Sequence, residues 1–265
     1  MIGSGLAIAV AISLTMIAPA SATTTVAHAV PDAPMAKTAT ASIKAKKVTK
    51  APGIDVSRWQ GPINWQRVAK SASFAYVKAT EGTGYVSRTF DSQYTGAKAA
   101  GLYVGAYAFG RPDAPALAQA DYFVDHARWT PDGKTLPPML DMEWPYDLGN
   151  GVVAPYPCYG LSATAMVAWI KTFVDEIKRR TGSVTTIYTA SGWWNNCTAG
   201  SAAFASEPLF VASYVDDQPR LPVGWTKWTI WQYSDNGPLP GDQDVFNGSP
   251  DTLATPSTLI ASSAR

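Results

Sequence analysis

The residues with the clearest capacity for chemistry are Asp141 and Glu143, in the run Pro138 to Glu143 (PMLDME). Residues two apart on a strand project to the same face, with Cα atoms roughly 6.5–7 Å apart, so both carboxyls enter one cavity. Two carboxyls in a partly desolvated site oppose each other's ionisation. One keeps its proton near neutrality and acts as a general acid while the other stays charged. That is the chemistry of glycosidic bond cleavage. Other polar residues fall at the ends of apolar runs: Asp55 after the first, Lys78 and Glu81 at the end of the second. Trp59, Tyr107, Phe109, Trp144 and Trp231 lie at similar positions, where aromatic faces can stack on sugar rings.

Other chemistries find little support. The chain has two His and two Cys, too few inside one domain for a zinc site of the usual His/Cys type, and no metal or cofactor is expected. A Ser-His-Asp triad would have to use His126, which lies in the helical stretch 114–127 and reads as an exposed helical histidine. The net charge is +1 with no basic face, which argues against nucleic acid as a partner. No glycine-rich phosphate loop follows the first strand, so nucleotide binding is unsupported.

Positioning these carboxylates requires a framework, and the chain divides sharply where it begins. None of the 10 Trp, 12 Tyr and 8 Phe precedes residue 53. Residues 5–18 are an apolar core too short for a stable membrane span, and Ala18-Pro-Ala-Ser-Ala22 supplies small residues for cleavage. Residues 1–22 therefore read as a secretory signal, with cleavage as late as residue 29 an alternative, and the product as secreted or associated with a cell wall. From 23 to 52 an Ala/Thr/Lys/Pro segment without amphipathic periodicity reads as a disordered linker. The folded domain is expected over 53–265, faintly acidic because the tail holds most of the lysine excess.

Within it, short β-rich runs are expected as strands at 53–57, 74–80, 103–109, 138–143, 185–189, 209–214 and 229–233. The clearest helix runs from Ala163 to about Thr181, with Met166, Trp169, Ile170, Phe173, Val174 and Ile177 on one stripe, Ser162 as N-cap and Gly182 as stop. A second occupies about 90–100. Alternation through the first five strands implies a parallel sheet with right-handed crossovers, and helices fade after Thr189. The pattern fits an α/β barrel whose last strands lack full helices, with a doubly wound open sheet as the alternative.

Ordered motifs then carry a resemblance. Ile54-Asp-Val-Ser-Arg-Trp-Gln60, Tyr76-Val-Lys-Ala-Thr-Glu-Gly82, Gly105-Ala-Tyr107, Leu140-Asp-Met-Glu143, Trp231-Gln-Tyr233 and Gly241-Asp-Gln-Asp244 resemble, in this order, the family 25 glycoside hydrolases, secreted N-acetylmuramidases. The resemblance implies a flattened, modified TIM-like (β/α)5(β)3 barrel. It also implies cleavage of the β-1,4 bond between N-acetylmuramic acid and N-acetylglucosamine in peptidoglycan. By motif, Glu143 is the general acid, Asp141 orients the substrate's own 2-acetamido nucleophile, and Asp55 and Asp244 complete the acidic cluster. Trp59, Gln60, Lys78, Glu81, Tyr107, Phe109, Trp144, Tyr188, Tyr214, Trp231 and Gln232 are the candidate substrate contacts. Cys158-Tyr-Gly-Leu-Ser162 and Trp193-Trp-Asn-Asn-Cys197 resemble a bacterial branch with one disulfide between these cysteines.

Two departures stand out: Ala108 where the family commonly has His, and a short segment after Asp244. A family 18 chitinase would carry further Asp residues where Pro137-Pro-Met-Leu140 stands, and a non-catalytic wall-binding barrel would have lost acids that are all present here. The expected partner is a peptidoglycan glycan strand, met by a monomer.

Overall fold

The computed structural model describes residues 50–145 and 156–253. Expectations for the signal, for the linker up to residue 49 and for the last residues of the chain lie outside these. Nine strands form one sheet: β1 (Ala51–Val56), β2 (Phe74–Glu81), β3 (Tyr85–Val86), β4 (Tyr103–Phe109), β5 (Met139–Asp141), β6 (Thr186–Ala190), β7 (Leu209–Ala212), β8 (Ile230–Ser234) and β9 (Asp242–Phe246). β1, β2, β4, β5, β6, β7 and β8 are successive parallel neighbours. β9 lies antiparallel between β8 and β1 and closes an eight-stranded barrel, with β3 appended to β2. Among the described residues five α-helices accompany it: α1 (Trp65–Val68), α2 (Phe90–Ala99), α3 (Ala116–His126), α4 (Ala163–Thr181) and α5 (Ser191–Cys197).

Strand alternation divides the apolar side chains into two layers. Outward residues such as Ile54, Val77, Val104, Leu140, Ile187 and Val211 meet the helices. Inward residues Phe74, Tyr76, Tyr107, Met139, Phe210, Ile230 and Phe246 fill the barrel below the site. The interior is crowded enough to demand glycine twice: a Cβ on Gly53 would stand 2.2 Å from the Phe74 ring, and one on Gly105 2.2 Å from that of Tyr76. Such approaches are far inside van der Waals contact, so the glycines make room for the aromatics that plug the barrel.

α4 follows its expected stripe, with Met166, Trp169, Ile170, Phe173, Val174 and Ile177 buried. Ser162 Oγ accepts the Ala165 N–H at 3.3 Å. Gly182 ends the helix at φ 70°, a conformation in which glycine carries no Cβ penalty.

The structure departs from the sequence reading at several edges. β1 starts at Ala51, two residues before the boundary at Gly53, and the Ala51 N–H donates to Gly248 O at 3.0 Å. β5 ends at Asp141, leaving Glu143 beyond the strand. β3 and β9 were not among the expected strands: β3 has two residues, and β9 (DQDVF) has only two apolar ones. His126 is half-buried rather than exposed, with Nδ1 2.7 Å from Tyr122 O.

Candidate active site

The carboxyl ends of the parallel strands carry the acids. Asp55 on β1 and Asp141 on β5 both point inward, and both are nearly buried, at 9% and 6% exposed. Glu143 reaches the same space although the strand has ended. The Met142 N–H donates to Tyr188 O at 2.9 Å, which holds the extended chain against β6 for one more residue. The same-face expectation therefore survives the early end of β5.

Electrostatics follow from burial. Glu143 is pushed up to about 7, first by burial, against the opposing pull of Lys78. Asp141 is raised well above the usual carboxylate range by burial and then by the charge of Glu143. Asp55 is pushed up to about 8, by burial and then by Asp242. A cleft that crowds more acids than Lys78 can balance holds protons at neutral pH, the condition a general acid needs.

Asp242 is the acid that sequence reasoning missed. Because β9 runs antiparallel, its first residue, not its last, lies at the rim: Asp242 pairs with Asp55, whereas Asp244 pairs with Gly53 one layer down. Asp242 is half-buried and raised to about 6, by burial and then by Asp235. Asp244 is fully buried, with no N–H donor to either carboxyl oxygen among the described residues, and burial followed by the charge of Asp55 raises it well above the usual range. It lies below the cleft, one layer in from the Asp55–Asp242 pair. The signal was present in Gly241-Asp-Gln-Asp244, where both acids share one strand face. Gly241 is needed for the same approach, since a Cβ there would stand 2.2 Å from Asp55 O.

The other candidates separate by strand face. Tyr188, Trp144 and Tyr214 line, with Glu143, Ala190, Ala212 and Ser213, a cleft of about 260 Å³. Trp144 and Tyr214 are 40% and 54% exposed, so sugar-sized groups can reach them. Trp59 is 78% exposed on the turn after β1, with the Arg58 guanidinium 4.3 Å from its ring centroid. Lys78 Nζ pairs with Glu81 Oε2 at 2.8 Å and lies 4.7 Å from the Phe109 ring centroid.

Several expected contacts are engaged within the protein, three of them buried and Gln60 half-buried. Trp231 alternates outward from Gln232 and packs against Trp228, its indole N–H donating to Ser213 O at 2.7 Å. Phe109, at 1% exposed, and Tyr107, in the barrel interior, offer no open face. Gln60 Oε1 accepts the Ser57 N–H at 2.8 Å and caps the turn that carries Trp59. Ala108 faces the helices, so its departure from the family pattern does not touch the cleft.

The sequence and the barrel are both matched by known proteins. The sequence profile of glycosyl hydrolases family 25 matches residues 54–242. This chain belongs to that family. It is 45% identical over 206 residues to Lysozyme M1 of Streptomyces globisporus, covering 74% of this chain and 68% of that protein. With the N,O-diacetylmuramidase of Arthroderma benhamiae it shares 41% identity over 204 residues, 76% of this chain and 84% of the other. Among solved structures, the family 25 lysozyme from Aspergillus fumigatus superimposes with a TM-score of 0.72 at 42% identity, over 78% of this chain and all of that one (100%). The bacterial lysozyme from Streptomyces coelicolor gives 0.72 at 41% identity, over 80% and 99%.

The cysteines pair as family 25 membership suggested. Cys158 and Cys197 form a disulfide with Cα atoms 5.3 Å apart. The bridge ties the segment before α4 to the end of α5, and in that segment Tyr159 Oη donates to Glu143 O at 3.4 Å.

Proposed function

We propose that this chain hydrolyses the β-1,4 bond between N-acetylmuramic acid and N-acetylglucosamine in peptidoglycan, with retention and with the substrate's acetamido group as nucleophile. The observation that carries the reading is the convergence of Asp141 and Glu143 on one cleft in a family 25 barrel, with Glu143 held near 7. Glu143 protonates the leaving 4-oxygen as the C1–O bond breaks. The pair's proton sits on Glu143 before the step, which removes the Glu143 charge that raises Asp141 and leaves Asp141 as the ionised partner. The acetamido carbonyl oxygen then closes on C1 to give an oxazolinium, whose N–H charge Asp141 balances. Water, deprotonated by Glu143, then reopens the ring at C1 from the original face, and the acid is restored. Asp242, raised only to about 6, is ionised at neutral pH and adds negative field beside the developing positive charge, while Asp55 keeps its proton there.

Trp59, Trp144 and Tyr214 are the aromatic contacts to the glycan, and Lys78 with Glu81 borders the cleft as an ion pair. The names of the relatives support the substrate class. A secreted monomer acting on cell-wall glycan completes the reading; no helix among the described residues is long and apolar enough to cross a membrane. Digestion of purified peptidoglycan followed by borohydride reduction tests it. Reduced muramic acid at the new ends is the expected product, reduced glucosamine would assign the opposite bond, and no new ends would leave a binding barrel.

A further inference from the structure

Gln232 was expected to contact substrate, yet it is 1% exposed. It lies inward on β8, and its amide joins residues of four strands or their ends. Nε2 donates to Asp55 Oδ2 at 2.7 Å and to Asp242 Oδ2 at 3.1 Å. Oε1 accepts from Tyr188 Oη at 2.9 Å and from Tyr214 Oη at 2.8 Å. An amide group has two hydrogens to give and two lone pairs to fill, and all four are used.

The polarity of this network has one solution. Asp242, raised only to about 6, is ionised at neutral pH and only accepts, so the amide nitrogen that meets both Asp242 and Asp55 is the NH₂, and the carbonyl must face the tyrosines. Each tyrosine hydroxyl then spends its single hydrogen on Gln232. What Tyr188 and Tyr214 present to the cleft is lone pairs, so they receive N–H or O–H groups and cannot donate to a carbonyl.

We propose that Gln232 is a positioning residue for the reaction, one that holds Asp55 and Asp242 at the rim and fixes Tyr188 and Tyr214 as acceptors facing the sugar. This rests on the muramidase reading of the cleft. The groups facing Gln232 are Asp55 from β1, Asp242 and Asp244 from β9, Tyr188 from β6 and Tyr214 beyond β7, with Asp141, Glu143 and Lys78 across the cleft.

The test compares Gln232→Leu and Gln232→Glu with the parent enzyme on soluble peptidoglycan fragments. Gln232→Leu removes all four bonds and is expected to lower kcat about 100-fold, the loss typical of misplaced reacting groups, with KM changed less than about threefold. Gln232→Glu keeps the shape but replaces two donors by acceptors. Its activity should fall similarly at pH 7 and recover in part at acid pH, where the new carboxyl carries a proton, moving the optimum down by about one pH unit. A tenfold rise in KM at unchanged kcat would make Gln232 a direct substrate contact and overturn the proposal. So would equal losses in both variants with no shift of the pH profile, which would mark a purely structural role.

The parent protein supplies a readout that needs no substitution. By NMR with glutamine side-chain ¹⁵N labelling, the Gln232 amide protons should exchange slowly with water and should shift as Asp55 and Asp242 titrate. Fast exchange, or no response to pH, would overturn the proposal even if neither variant folds. An inactive parent enzyme with a protected, titrating Gln232 amide would instead count against the muramidase reading alone.

Discussion

At the scale of single residues, Asp141 and Glu143 differ in task although one interior space holds both. Glu143→Gln removes the proton given to the leaving oxygen and should lower turnover about 10²- to 10⁴-fold with binding largely kept. Asp141→Asn should cripple turnover too, by leaving the acetamido nitrogen without its counter-charge. The first product should be the β anomer, read by proton NMR before mutarotation; an α product would refute substrate assistance. The raised carboxyls also set two pH dependences. Activity should fall as pH rises past about 7, where Glu143 loses its proton. Stability should follow the same direction. Asp55 is raised to about 8 in the folded state, so folded protein holds a proton that the unfolded chain has lost above about 4. That contribution is full at acid pH and disappears as pH rises through 8. Asp55→Asn should therefore lose activity yet melt higher than the parent at pH 8.5, with the gain shrinking toward pH 5. A variant that melts lower at both pH values would show that Asp55 is not stored at the expense of stability.

At the scale of elements, the rim is braced by buried glutamines, and these were the least legible part of the sequence. Gln93 on α2 donates to Ser57 O at 2.8 Å, holding the turn that carries Trp59. Gln119 on α3 donates to Arg111 O at 2.6 Å and accepts the Arg111 N–H at 3.0 Å. Gln243 on β9 donates to Leu239 O and Gly241 O at 3.0 and 2.8 Å. In the sequence Gln93 is a polar residue breaking an apolar stripe between Phe90 and Tyr94; only the loop returning past it shows which carbonyls it serves. α4, by contrast, was readable residue by residue, because its boundaries rest on local capping. Asp141 and Glu143 were readable because their spacing is local as well. Asp242 was not, because rim position depends on strand direction, which no local pattern records. The disulfide is another long-range link, closing a separation of 39 residues across α4 and β6. By the chain-entropy argument it contributes up to about 4 kcal/mol. Cys158→Ser with Cys197→Ser should lower the melting temperature by roughly 10 °C. Activity should fall as well, since Tyr159 is then no longer held over the backbone of Glu143. A pair of variants with the parent's melting temperature would show that the segment before α4 is held by packing alone.

At the scale of the molecule, alternating strands and helices announced a parallel barrel, but not how the barrel closes. Closure falls to β9, which lies between the first strand and β8, and the register Ala51↔Phe246 and Pro52↔Val245 draws two residues of the supposed linker into the sheet. Ala51 is fully buried, and Pro52 O accepts the Ser73 N–H at 2.8 Å. Pro52 was counted with the linker on composition and lack of periodicity; proline cannot donate to a ladder, but here only its carbonyl is required. The absence of aromatics and of amphipathic periodicity before residue 50 predicts that a chain starting there folds and works unchanged. Two shortened chains separate these contributions. One starting at Lys50 should match the chain starting at Thr23 in melting temperature within about 1 °C and in activity on soluble glycan. One starting at Gly53 loses the Ala51 and Pro52 bonds and uncovers Phe246, a cost of roughly 2 kcal/mol, or roughly 4–8 °C. Its activity should fall further than its stability, because Asp55 and Asp242 face each other in the very pairing that the missing residues anchor. Equal melting of the Lys50 and Gly53 chains would move the true start of the barrel back to Gly53, and a loss already at Lys50 would mean that earlier residues pack on it.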